Sequence, residues 1–74
     1  MSKLPVLSGE KLCAVFTRAG YVIHHQTGSH IILRHRESPH YRLTIPNHRE
    51  ISRGTLHAIL QQAGLTVDEL KTLL

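Results

Sequence analysis

The chain has 74 residues, with one cysteine, nine Lys and Arg against five Asp and Glu, and seven histidines, for a formal charge of +4. A lone cysteine, Cys13, excludes an internal disulfide and a cysteine-based zinc site, and no apolar run is long enough to span a membrane. A chain this short is expected to form one domain, residues 1–74, with a lean core and a surface cleft rather than a deep cofactor pocket.

Ser8 is a good N-cap, and Leu12, Val15, Phe16 and Ala19 follow it at the spacing of a one-sided helix that stops at Gly20. Cys13 falls inside this pattern and reads as a packing residue. Tyr21-Val22-Ile23 starts a strand of β-formers, and Gln26-Thr27-Gly28-Ser29 reads as a turn. His30 to His35 is a second strand. Arg36-Glu37-Ser38-Pro39-His40 is a polar loop. Tyr41 to Ile45 alternates as a third strand and ends at Pro46. A second helix begins near Ser52, with Leu56, Ile59, Leu60 and Ala63 as its stripe and Gly64 as its stop. Thr66-Val67-Asp68-Glu69 is a capping box that opens a short last helix carrying Leu70, Leu73 and Leu74. Two helices with single apolar stripes need a sheet to cover. The expected fold is therefore α+β, an α-β-β-β-α two-layer sandwich with a short C-terminal helix.

Strand parity assigns the faces. Ile31, Leu33, Leu43 and Ile45 should meet the helices, which leaves His30, Ile32 and Arg34 beside Arg42 and Thr44 on the open face. Arg34, Arg36, Arg42, Arg49 and Arg53 fall within residues 34–53 against Glu37 and Glu50 alone. The planar fork of arginine suits phosphate, so a polyanion is a plausible partner alongside an ordinary solvated face.

His30 follows Gly28-Ser29 at the mouth of strand two and has three readings. It is a ring satisfied by a backbone carbonyl, a metal ligand, or an acid–base group acting on a phosphodiester. His25, His30, His35 and His40 recur every five residues, yet an odd spacing sends His30 and His35 to opposite faces, and the same parity separates His24 from His25. No metal is expected. RNA carries its own nucleophile, the 2′-OH, so a histidine with cations nearby can cleave it without a cofactor. In that reading Arg34 and Arg42 hold phosphate, Gly28 allows close approach of the backbone, and Ser29 adds a hydroxyl. His48 is a second acid–base candidate, although a loop histidine capping the turn before helix two is the simpler reading. His57 reads as solvent-exposed.

Gly20-Tyr21, Gly28-Ser29-His30, Ile45-Pro46-Asn47-His48, Gly54-Thr55-Leu56 with Ile59, and Ala63-Gly64-Leu65 occur in this order along nearly the whole chain. This set resembles the HicA-type mRNA interferases, the toxins of HicA–HicB toxin–antitoxin pairs. The resemblance implies a double-stranded-RNA-binding-domain-like fold, translation-linked cleavage of mRNA and His30 as the catalytic residue; with no metal expected from the parity of the histidines, the expected activity is that of a metal-independent endoribonuclease. The resemblance also implies neutralisation by a HicB-like antitoxin that covers the active face. The chain departs from the RNA-binding fold in one respect. The start of helix two offers only Arg53, so a single-stranded substrate fits better than a duplex, and Tyr41 alone near the open face implies weak sequence preference.

A non-catalytic RNA-binding module acting by occupancy is the alternative. A DNA-binding regulator is disfavoured because helix two is polar through Gln61 and Gln62 rather than cationic. The N-terminus lacks the basic-then-apolar layout of a signal peptide, so a cytoplasmic location without a membrane partner is expected. Whether the chain acts as a monomer or a homodimer is left open.

Overall fold

In a computed structural model, residues 3–38 and 41–74 are described. The element order is α1 (Gly9–Arg18), β1 (Tyr21–Thr27), β2 (His30–His35), β3 (Arg42–Pro46), α2 (Arg53–Ala63) and α3 (Val67–Leu73). The predicted α+β sandwich is the observed one. The strands form one antiparallel sheet in the order β1-β2-β3, with α1 against β1 and β3, α2 against β3, and α3 against α1. No helix is long and apolar enough to cross a membrane among the described residues.

The two expected helix caps, Ser8 and Thr66, are in place, and Ser52, near which the second helix was expected to begin, caps α2. The hydroxyl of Ser8 accepts from the Lys11 N–H at 3.1 Å, and that of Ser52 from the Thr55 N–H at 3.3 Å. Thr66 and Glu69 close a reciprocal box, the Thr66 hydroxyl accepting from the Glu69 N–H and the Glu69 carboxylate from the Thr66 N–H. Each cap satisfies a donor that the first helical turn would otherwise leave to solvent.

The core face also follows the parity reading. Ile31, Leu33, Leu43 and Ile45 pack with Leu12, Val15, Phe16, Leu56, Ile59, Leu60 and Leu70 in one buried cluster. Cys13 is buried in it, and burial first, then the nearby Glu10 charge, pushes its thiol pKa up, so it packs as a small apolar group. Of the leucines expected in α3, Leu70 is buried and Leu73 half-buried, whereas Leu74 is exposed.

The first hairpin departs from expectation. β1 runs on through His24, His25 and Gln26 to Thr27, which pairs with His30, so the turn shrinks to Gly28-Ser29. Gly28 sits at φ 53°, as the first central residue of a tight two-residue hairpin turn requires. A Cβ there would meet no protein atom within 4 Å, so the positive φ of the turn is what favours glycine at this position. Pro46 lies inside β3, opposite His30. It is tolerated because β3 is an edge strand and can forgo a donor.

β1 also contains a bulge between Ile23 and His25. The extra residue is His24, and its ring nitrogen Nδ1 lies 2.6 Å from that of His25. The parity separation expected for these two rings is therefore wrong, because a bulge resets the alternation locally. His35, by contrast, stands on the helix side of the sheet, edge-on to Tyr21, away from His30. His40, with Pro39, lies outside the described residues.

Candidate active site

Three segments meet at one end of the open face. The first is the β1–β2 turn, which delivers His30. The second is the connection from β3 to α2, residues 46–52, which carries His48 and Glu50. The third is the N-terminus of α2. Together His30, Thr44, Pro46, His48, Glu50, Ser52 and Thr55 line a cleft of about 470 Å³. His30 and His48 are both exposed in it.

The connection is held by backbone bonds to distant parts of the chain. The Gly9 N–H donates to the His48 carbonyl at 2.9 Å, and the Ile51 N–H to the Leu7 carbonyl at 2.9 Å. The Asn47 N–H donates to the Ser29 carbonyl at 2.6 Å, which ties the connection to the turn that presents His30. Ile51 anchors it from below, at 3% exposure within the core. Gly9 is required by this close approach. A Cβ there would overlap the Pro46 carbonyl oxygen and come within 3.0 Å of the Asn47 Cα.

His48 does not cap the turn before α2, because Ser52 fills that role. Its ring is left to the cleft. Glu50, Ser52 and Thr55 join it there, three residues the sequence reading did not assign to the site. The signal was present in Ser52, near which the second helix was expected to begin. A cap residue stands beside the free N–H groups of its helix, which favour a negative ligand. The first turn of α2 has no acidic residue, unlike those of α1 and α3, so nothing within that turn offsets the positive helix end.

The remaining expected site residues are spread out. Ser29 contributes through its carbonyl, as the acceptor from Asn47, and Gly28 through the turn. Arg34 and Arg42 face each other across β2 and β3 on the open face, as parity required. They stand four residues along β2 from His30, however, a separation of about 13 Å at the ordinary strand rise, and they do not line the cleft. Near them sits His24. The Arg34 guanidinium above all, then burial and the His25 and Arg42 charges, hold its pKa below the usual imidazole range.

Among the described residues no cluster of three or more His, Cys, Asp or Glu could hold a metal ion. His57 is exposed, as expected. Residues 9–65 match the family described as the HicA toxin of bacterial toxin–antitoxin. No curated protein compared with the chain matches it.

Proposed function

The chain belongs to the HicA family, the toxins of bacterial toxin–antitoxin systems, and from this premise we propose that it is an endoribonuclease that cleaves single-stranded mRNA with His30 and His48 as its acid–base pair. The observation that supports this reading is that two histidine rings, brought by separate segments, line one cleft against a helix N-terminus.

Two imidazoles are what cleavage by an internal nucleophile needs. One takes the proton of the RNA 2′-OH as that oxygen attacks the adjacent phosphorus. The P–O5′ bond breaks, and the other imidazole delivers a proton to the departing O5′. The products are a 2′,3′-cyclic phosphate and a 5′-hydroxyl. The α2 N–H groups and the hydroxyls of Ser52 and Thr55 border the phosphate, where negative charge accumulates in the transition state. Glu50 lines the same cleft with a carboxylate able to accept from an imidazole N–H. Both proton transfers are assigned to side chains, so no metal or organic cofactor is invoked. A cognate HicB-like antitoxin would silence the protein by covering this cleft, and translation would be inhibited by loss of mRNA in the cytoplasm.

The test is His30→Gln, which keeps a polar side chain of similar reach but cannot relay a proton at neutral pH. With a circular dichroism spectrum like the parent's, this variant should cut RNA about 10²–10⁴-fold more slowly and no longer arrest growth. Products of the parent should carry 5′-hydroxyl ends, and cleavage should persist in excess EDTA. Wild-type toxicity from folded His30→Gln would instead favour an RNA-binding module that acts by occupancy.

A further inference from the structure

We propose that the open face of the sheet carries a second phosphate-binding subsite, built from His24, His25, Arg34 and Arg42, that grips the backbone of a single-stranded RNA a few nucleotides from the bond cut in the cleft. The proposal rests on the nuclease reading for the bond cut in the cleft.

Three features coincide at this spot. Arg34 and Arg42 are direct cross-strand partners, and like charges directly opposite each other destabilise a sheet. The Nε of Arg34 is buried and has no hydrogen-bond partner among the described residues. An orphaned donor carries the full cost of its desolvation. The bulge in β1 then adds His24 and His25, joined at 2.6 Å through their Nδ1 atoms. That contact holds only while at least one of the two rings is neutral, because two protonated Nδ1 atoms would both be donors. None of the three strands contains an Asp or Glu to offset the cations. An anion between the arginine forks and the two rings offsets the charge of the facing arginines.

The layout selects a phosphodiester chain over an isolated anion. The cluster and the cleft lie on the same face and are joined along β2 and β3 by Ile32 and its partner Thr44. Ile32 is 5% exposed although it stands outside the helix-side core. Thr44, which is exposed, therefore provides the surface of the strip between the two sites, and that strip is uncharged with charged ends that suit phosphates. Val22, opposite Arg34 and 39% exposed, adds an apolar border at the far end.

The test uses a 2′-O-methyl RNA decamer, which lacks the free 2′-OH and cannot be cut by the proposed route, with affinity read by fluorescence anisotropy over a range of salt. The double variant Arg34→Gln with Arg42→Gln should bind about tenfold more weakly and show a shallower salt dependence, by about one unit of slope per lost phosphate contact. His24→Gln is exposed and outside the core, so it should keep the fold, and it should weaken binding two- to threefold, roughly the loss of one shared hydrogen bond. Lys11→Gln, on the exposed side of α1, serves as the control and should bind like the parent. Unchanged affinity and salt slope in both the double variant and His24→Gln would overturn the subsite. So would loss of binding to an acidic antitoxin with decamer affinity intact, which would make this a protein-docking patch. A parent that binds the decamer through these residues yet cuts no RNA would leave the subsite standing and remove the nuclease reading instead.

Discussion

The two ends of the open sheet face share strands and parity but are built differently. At the His30 end, three segments distant in sequence are stitched by backbone hydrogen bonds into a concave site with mixed charge. At the Arg34 end, the sheet itself displays two cations and two imidazoles with little around them but their neighbours. On the proposed reading, the contrast follows from the different structural demands of cleavage and grip. Acid–base chemistry needs groups held to a fraction of an ångström by a supporting shell, whereas backbone binding needs charge at roughly the right spacing.

The sharpest way to break this comparison is His48→Gln. A second positioned acid–base group should be worth about 10²–10⁴-fold in cleavage rate, with product ends unchanged and the fold intact by circular dichroism. Combined with His30→Gln it should cost much less than the product of the two single effects, since the groups act as a unit. A loss below threefold would return His48 to the role of a loop residue and leave His30 alone in the cleft.

Gly9→Ala comes next. The added methyl overlaps the Pro46 carbonyl, so either α1 or the connection bearing His48 must move. We expect a stability loss of about 1–3 kcal/mol from overpacking, visible as a lower Tm. Cleavage should fall further than decamer affinity, because Gly9 supports only the His30 end. Equal losses in the two would mean that the two ends are not independent.

Ser52→Ala separates cap from site. Removing an N-cap hydroxyl costs about 1 kcal/mol, and Ser8→Ala should cost about the same in the thermal melt. Only Ser52 lines the cleft, so only Ser52→Ala should also slow cleavage.

The smallest expected effect concerns pH at the opposite end. The folded-state pKa of His24 is lowered from 6.5, chiefly by Arg34. Between that depressed value and 6.5 the unfolded chain binds more protons, so the contribution of His24 to stability is complete above about 6.5 and is lost as the pH falls through the folded pKa. The ring is exposed and the effect is correspondingly slight. His24→Gln should flatten the acid side of a Tm-against-pH curve, whereas an anion bound at the arginines should reduce the slope in the parent. A parent curve unaffected by His24→Gln would mean that the arginines do not act on this ring.

Much of the molecule was legible before folding was considered. The apolar stripe of α1, the alternation Ile31, Leu33 and Leu43, Ile45, and the caps Ser8 and Thr66 each act over a few residues. A local rule therefore suffices to place an element and choose its buried face. His30 was legible for the same reason, as the residue that follows a tight glycine turn.

What only the tertiary structure decided depends on partners far along the chain. The β-bulge at His24 arises from how β1 pairs with β2, and it overturned a parity rule that holds only in an unbroken ladder. Parity put Arg34 and Arg42 on the same face as His30, but a face has length, and the strand rise carried them to its other end. His48 and Glu50 enter the cleft because Leu7, Gly9 and Ser29 fix the path of residues 46–51 through backbone hydrogen bonds. Such bonds are made by groups that every residue carries, so no side-chain pattern announces them.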